Sequence, residues 1–496
     1  MGWAYNSPAF LPHGSNSLHN VLPQSQTNGD SVLGTFQAPK LPGYLNTPGQ
    51  PMPQGTPWGG ATASNTDPNN GPPNTGVIRS YEFTVAYGTI APDGVTRDVL
   101  LINNQFPGPT IEANWGDTIQ VTVHNNLPSE GTSIHWHGLL QSATPWMDGV
   151  PGIDQCPIAP GNTFTYTFQA DLYGTSWYHS HYSAQYAGGA LGAMIIYGPN
   201  NTDYDVDIGP VLLTDWYHTS YYDLVEQTMA PVSAGLSPPY SNNNLINGKM
   251  NYPCDNTTLT CVPNAGISKF YFESGKKYRL RLINAGAEGI QKFSIDDHVM
   301  TVFANDFVPI QPYQVNVVTL GVGQRADIIV EATGNSTDAV WMRSSLGNTA
   351  AGGCALNDGV SYEAVAAIYY QNANDSVVPT TTSSVTEAEI NTCENDPLSD
   401  TQPFYPITPD STPPVTQDMV ITYETNSTGY NLWYVNNSTF RVDYNDPVLL
   451  ETKVGNLNFS AGANVYNFGS NSSVRLVVYN YFQFSSHPMH MHGHNM

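Results

Sequence analysis

Ile119-Gln-Val-Thr-Val-His-Asn125 decides the fold, because the chain writes this strand three times. Ile119, Val121 and Val123 alternate with polar residues, the period of a strand with one face in a core and the other in solvent. Tyr278-Arg-Leu-Arg-Leu-Ile-Asn284 and Val474-Arg-Leu-Val-Val-Tyr-Asn480 are the same strand, each ending in Asn. Ten residues past each Asn stands a matched triplet: His135-Trp-His137, Ser294-Ile-Asp296 and His490-Met-His492. Strand and triplet recurring together predict three homologous β-domains.

The triplets also predict chemistry. Residues i and i+2 of a strand point to one face, so each H-x-H aims two imidazoles at one point. A further pair, His179-Ser-His181, begins 42 residues beyond His137, and His487 precedes the last pair. Imidazole suits copper, zinc, iron and nickel, and three converging pairs would hold a cluster rather than a single ion. The outer repeats carry the histidines, so the metal is expected between the first and third domains. His13, His19, His124, His218 and His298 stand alone and read as structural, and His494 as support for its neighbours.

Composition narrows the class. Against 15 basic side chains stand 40 acidic ones, a net charge of −25, which disfavours nucleic acid and anionic membranes as partners. Only 11% of residues are charged while Gly, Pro, Asn, Thr and Tyr abound, the usage of an all-β exported protein with many turns. Asn-X-Ser/Thr occurs at Asn200, Asn256, Asn335, Asn374, Asn426, Asn436, Asn437, Asn458 and Asn471, which supports secretion. The first twenty residues hold no apolar run of signal-peptide length, and no stretch could span a bilayer as a helix. Residues 1–75, rich in Pro, Gly, Asn, Ser and Gln, have too little apolar periodicity to offset their ordering entropy and are expected to be disordered. Of the five cysteines, disulfides Cys254–Cys261 and Cys354–Cys393 are expected, leaving Cys156 over.

These motifs resemble those of the multicopper oxidases, most closely the laccases of filamentous fungi. The similarity runs from about Gly76 to Met496. It includes N-N-Q-F-P-G-P-T-I-E-A at 103–113, H-W-H-G at 135–138, M-D-G-V-P at 147–151 and Q-C-P-I-A-P-G at 155–161. T-S-W-Y-H-S-H-Y-S-A-Q-Y at 175–186 and H-P-M-H-M-H-G-H at 487–494 complete it. The resemblance implies three consecutive cupredoxin-like Greek-key β-sandwiches over 76–200, 205–375 and 405–496. It implies one-electron oxidation of small phenols or aromatic amines at a type 1 copper, with dioxygen reduced to water at a trinuclear cluster, in a secreted monomer. His135 and His490 match the type 2 copper ligands. His137, His179, His181 and His492 match type 3 ligands, and His487 matches a type 1 ligand. Asp148 aligns with a carboxylate that assists proton delivery to reduced oxygen, and Glu288 with the acid that accepts a phenol proton.

The family's H-C-H-x-x-x-H motif, which supplies the type 1 thiolate and the remaining histidines, does not occur in these 496 residues. By the spacing of the first repeat, the equivalent of His179-Ser-His181 in the third would fall past Met496. A fourth motif is therefore expected beyond that residue, and the third sandwich is expected to be partial. The family likewise pairs Cys156 with a cysteine in that tail. Two further readings compete: a copper-binding cupredoxin protein without catalysis, and a ferroxidase or ascorbate oxidase with the same histidines. A ferroxidase would need acids near the type 1 site, and Ala230–Asn244 has none.

Overall fold

The three repeat strands take the same place in three sheets. A computed structural model describes residues 40–46, 55–236, 238–347, 354–481 and 487–495. In it Thr118–Asn125 runs parallel to Ile78–Ile90, Lys277–Asn284 to Val206–Trp216, and Val474–Asn480 to Val415–Thr425. The alternation does what it predicts: Ile119, Val121 and Val123 are fully buried, whereas Thr118, Gln120 and Thr122 keep partial exposure. Asn125 closes its strand by donating to the carbonyls of Glu130 and Ile158, and Asn284 does the same to Gly289 and Leu320. In the first two units the terminal Asn is thus a strand-to-loop clasp.

The first unit packs a four-stranded sheet containing Ile78–Ile90 and Thr118–Asn125 against a second of Gly108–Asn114, Leu191–Tyr197, Gly174–Ser180 and Ile134–Trp136. Trp136, Tyr166, Phe168 and Tyr178 fill the space between them. The second unit packs six strands against five around Leu280, Phe293, Met342 and Ile368. Among the described residues the third unit is one three-stranded sheet, whose Tyr423, Trp433, Val478 and Tyr479 lie open to solvent. Helices are short: Tyr221–Thr228, Glu387–Ile390 and Val448–Lys453. No helix among the described residues is long and apolar enough to cross a membrane. Both expected disulfides are formed, and Cys156 is free and exposed.

Buried charge stitches the first two units. Arg281 donates to both carboxylate oxygens of Asp207 and to Thr175 Oγ1, while Thr175 in turn donates to Asp327. Thr175 is the second residue of Gly174–Ser180, the strand that carries His179, so this network fixes that strand against the second unit.

Two expectations change. The leading segment lies outside the described residues over 1–39 and 47–54, but 40–46 and 55–75 are laid against the folded units. Leu45 exchanges both backbone bonds with the Asn114 side chain, Trp58 packs on the first core, and Tyr405 donates to the Ala63 carbonyl. Isolated anchors such as Trp58 leave no periodic trace, which is why composition alone misreads this stretch. The H-x-H pairs are not uniformly strand residues either. His135 and His179 are opposite partners on adjacent antiparallel strands, whereas His137 and His181 lie just beyond the strand ends. His490 and His492 sit in a loop.

Candidate metal centre

Pairing His135 directly across from His179 places both side chains on one face, and their rings lie 5.4 Å apart between centroids. The strand ends then bend His137 and His181 to the same place, 5.5 and 5.7 Å from His135. The C-terminal loop brings His490 and His492 to 5.8 and 4.1 Å from His135. Six histidines from opposite ends of the chain therefore meet in one cluster. His487 is exposed and meets Trp433 edge-on at 5.1 Å, on the third unit's sheet.

Hydrogen bonds to Nδ1 fix the tautomer of three of these rings. His135 Nδ1 faces the Asp148 carbonyl at 2.7 Å and His179 Nδ1 faces the Ser180 carbonyl at 3.0 Å. His492 Nδ1 faces Asp148 Oδ2 at 2.7 Å. Carbonyl and carboxylate oxygens only accept, so each Nδ1 carries the proton and each Nε2 keeps its lone pair. His135 Nε2 is buried with no hydrogen-bond partner among the described residues. Such an atom is costly unless something binds it. Ligand atoms of His135, His490 and His492 lie within 4.8 Å of one another, as do those of His135, His137 and His179. Imidazole sets of this kind, with the far nitrogen held by a carbonyl or carboxylate, fit copper.

Burial and neighbouring charge favour the neutral form of His137, His179, His181 and His490. Burial, then the Arg325 charge and neighbouring rings, hold His137 well below the usual imidazole range, and burial with the neighbouring rings does the same to His179. Burial followed by the adjacent imidazoles brings His181 and His490 each down to about 3. Asp148 goes the other way: burial raises its pKa, but His135 and His492 outweigh that and leave it well below the carboxylate range.

Glu288 lies elsewhere, on the loop after Asn284. Its residue surface is exposed, yet the protein crowds its carboxylate, which accepts from the Leu356 amide at 2.9 Å. Burial and the nearby Asp215 raise it to about 7 despite that hydrogen bond. Asp215, which sequence reasoning passed over, is buried and accepts amide N–H groups from Ala287, Glu288 and Gly289 at 2.7–2.8 Å. Its signal was legible: an acid inside the otherwise apolar run Val211-Leu-Leu-Thr-Asp215-Trp needs a buried partner. Arg325 was missed as well. It reaches the histidine cluster from the second unit, which carries no histidine pair. The five lone histidines fall out as expected where described. His218 pairs with Asp93, His298 with the Asp296 carbonyl and Tyr370, and His124 with Glu82 and Thr163. His13 and His19 lie outside the described residues.

Known proteins agree with this architecture. Multicopper oxidase family profiles match residues 84–201, 207–373 and 410–496. Laccase-2 of Botryotinia fuckeliana is 39% identical over 429 residues, covering 85% of this chain and 71% of its own length. Dihydrogeodin oxidase of Aspergillus terreus is 37% identical over 460 residues, covering 87% and 73%. The crystal structure of the laccase from Botrytis aclada superposes with a TM-score of 0.79 at 36% identity, covering 90% of this chain and 80% of that one. Fet3p, a multicopper oxidase that functions in iron import, gives 0.65 at 26% identity, covering 81% and 73%. The chain belongs to the multicopper oxidases, a family of copper-dependent oxidoreductases. Within it, the relatives at this level of identity and coverage include fungal laccases, and the function is that of a laccase-type oxidase.

Proposed function

We propose that His135, His137, His179, His181, His490 and His492 hold copper, with His135 and His490 on the type 2 ion and the other four on the type 3 pair. The observation that carries this is the buried, unpartnered His135 Nε2 at the centre of the six rings. Copper there supplies the one-electron redox chemistry by which dioxygen is reduced. The chain's own residues do the rest. Carbonyls and Asp148 fix the tautomers of His135, His179 and His492, burial favours the neutral form of His137, His179, His181 and His490, and the Asp148 carboxylate stands beside two of the rings, where it would accept a proton and relay it toward dioxygen.

On the substrate side, Glu288 takes the proton that a phenol releases as its electron leaves. Its elevated pKa and accessible edge suit that task. Small phenols or aromatic amines are the reductants, and export to the extracellular space fits the two disulfides. His487 is one type 1 ligand; four of the five cysteines are bonded in disulfides and the fifth, Cys156, belongs to the first unit.

The test is copper binding. Copper(II) added to the purified 496-residue chain should give the electron paramagnetic resonance signal of a nitrogen-ligated type 2 ion, weakened at least tenfold in affinity in His135→Ala and His490→Ala. Equal binding in His135→Ala and the parent chain would sink the assignment.

A further inference from the structure

The strand Val206–Trp216 runs parallel to Lys277–Asn284, with Leu213 opposite Asn284. Asp215, two residues on, therefore comes up beneath the loop that continues the partner strand, Ala285-Gly-Ala-Glu288-Gly289. Its carboxylate gathers that loop's backbone. Oδ1 accepts from the Ala287 amide at 2.7 Å, and Oδ2 accepts from the Glu288 and Gly289 amides at 2.8 Å each. The Tyr217 hydroxyl donates to Oδ2 at 3.4 Å. Asp215 is 5% exposed, and the groups that stabilise its charge are these amides and the phenol rather than a basic side chain. Burial raises its own pKa against them.

The loop is shaped to that carboxylate. A Cβ on Gly286 would stand 2.9 Å from Asp215 Oδ1 and 3.0 Å from Asn284 Oδ1, and one on Gly289 would strike the Leu346 side chain. From the other side Asn284 donates to the Gly289 carbonyl at 2.8 Å and accepts from the Gly286 amide at 3.0 Å. Asp215 and Asn284 thus pin the backbone, and Glu288 is the residue of the loop that stays exposed. Its Oε2 accepts from the Leu356 amide, and Ser241 holds that segment by donating to the Leu356 carbonyl. Oε1 is left without a partner among the described residues. Several titratable groups surround Glu288: Asp215 and Tyr217 beneath it, Tyr186 bonded to the Ala287 carbonyl, and Asp358 bonded to Asn242 beyond Leu356. Of these, Asp215 is the one whose charge bears on the Glu288 carboxyl.

We propose that Asp215 is the positioning residue of the Glu288 site: it binds three consecutive amides so that Glu288 Oε1 is presented to the phenol, and its negative charge beneath makes that carboxylate a stronger base. The loop and the acid under it then work as one device. The inference rests on the reading of Glu288 as the phenol's proton acceptor, and the experiment separates the two.

The probe is the Glu288 carboxyl itself. Glutamate labelled with carbon-13 at the side-chain carboxyl separates its infrared bands from those of aspartate. The pH titration of the metal-free 496-residue chain, less that of Glu288→Gln, isolates Glu288. In the parent chain its protonated band should vanish with a midpoint of about 7. Asp215→Asn removes the charge, and the midpoint should fall by about one pH unit or more. Asn accepts through one atom only, so the amides of 287–289 should exchange hydrogen about fivefold faster or more, read by mass spectrometry. Asp215→Glu keeps the charge but displaces the oxygens, so exchange should quicken while the midpoint stays near that of the parent. A merely structural acid would alter exchange and leave the midpoint in place. An unchanged midpoint in folded Asp215→Asn therefore overturns the proposal. Where Asp215→Asn fails to fold, as its melt would show, Asp215→Glu decides alone: exchange equal to that of the parent chain overturns it. In a chain that carries the family's H-C-H-x-x-x-H segment, the rising limb of phenol oxidation should move with the infrared midpoint in Asp215→Asn. A midpoint that moves while the limb stays would refute Glu288 as the base and leave the hold of Asp215 on the loop standing.

Discussion

Asp148 gathers two histidines that lie at opposite ends of the sequence. Its carbonyl fixes His135 and its carboxylate fixes His492, 344 residues away. One residue thereby sets the tautomers of candidate ligands from two domains. Glu288 is the other acid whose environment decides its use. Burial and Asp215 raise its pKa to about 7 from an ordinary value near 4.5. The folded form therefore binds the proton more tightly than the unfolded chain between those values. That stabilisation is full below about 4.5 and is lost as pH rises through about 7. Proton acceptance has the opposite sense, because only the ionised carboxylate accepts. In a chain that carries the family's H-C-H-x-x-x-H segment, phenol oxidation should rise with pH through a limb near 7. Glu288→Ala should abolish that limb and lower phenol turnover by about 10²-fold, within the range of a lost general base. Oxidation of a substrate that carries no proton should change little. A limb that survives in Glu288→Ala would remove this residue from the chemistry. Glu288 could be found from its motif, but Asp215 and Arg325 could not be placed so readily. Their partners include backbone amides and carbonyls 72–74 and 150 residues distant, and backbone groups carry no sequence signature.

At the scale of elements, the turn after Met147 shows why a glycine follows the acid. Gly149 has φ of +91°, and a Cβ there would stand 1.9 Å from the Ile134 carbonyl oxygen, in the strand that carries His135. Asp-Gly lets the turn press onto that strand, which is how the Asp148 carbonyl comes within 2.7 Å of His135. Gly149→Ala should cost about 1–3 kcal/mol from the left-handed backbone alone. The clash then adds to that and moves Asp148 away from both rings. Thermal unfolding and copper titration of this variant should both deteriorate; a normal copper affinity would mean that the turn does not set the ligand geometry. The strands themselves were legible, because period-two alternation and a terminal Asn survive in each repeat. The placement of the last histidine pair was not. His490 and His492 lie in a loop, and what aims them is contact with Asp148 rather than a pleat.

At the scale of the whole molecule, the repeat explains a division of labour. Three units start from one plan, with the same parallel pairing of first and repeat strands. The first supplies four histidines, the third supplies three, and the second supplies charge and buried ion pairs that hold the first in place. On the copper assignment proposed above, reducing dioxygen at the cluster would need electrons delivered from a type 1 site, whose thiolate is both ligand and conductor. Among these 496 residues His487 faces the third sheet without such a thiolate beside it, since Cys156 lies on the first unit and the other four cysteines are paired. The same sheet exposes Tyr423, Trp433 and Val478 on one face and Tyr479 on the other, apolar surface that favours association of copies at an open sheet. Residues 76–496 expressed with copper should therefore lack the intense visible absorption of a blue site, consume no oxygen with a phenol, and tend to self-associate. Appending the family's H-C-H-x-x-x-H segment in frame should bring both colour and oxygen uptake and should reduce association, read by visible spectroscopy, an oxygen electrode and light scattering. Phenol turnover by the unextended chain would show that the thiolate route is dispensable and would overturn the division of labour argued here.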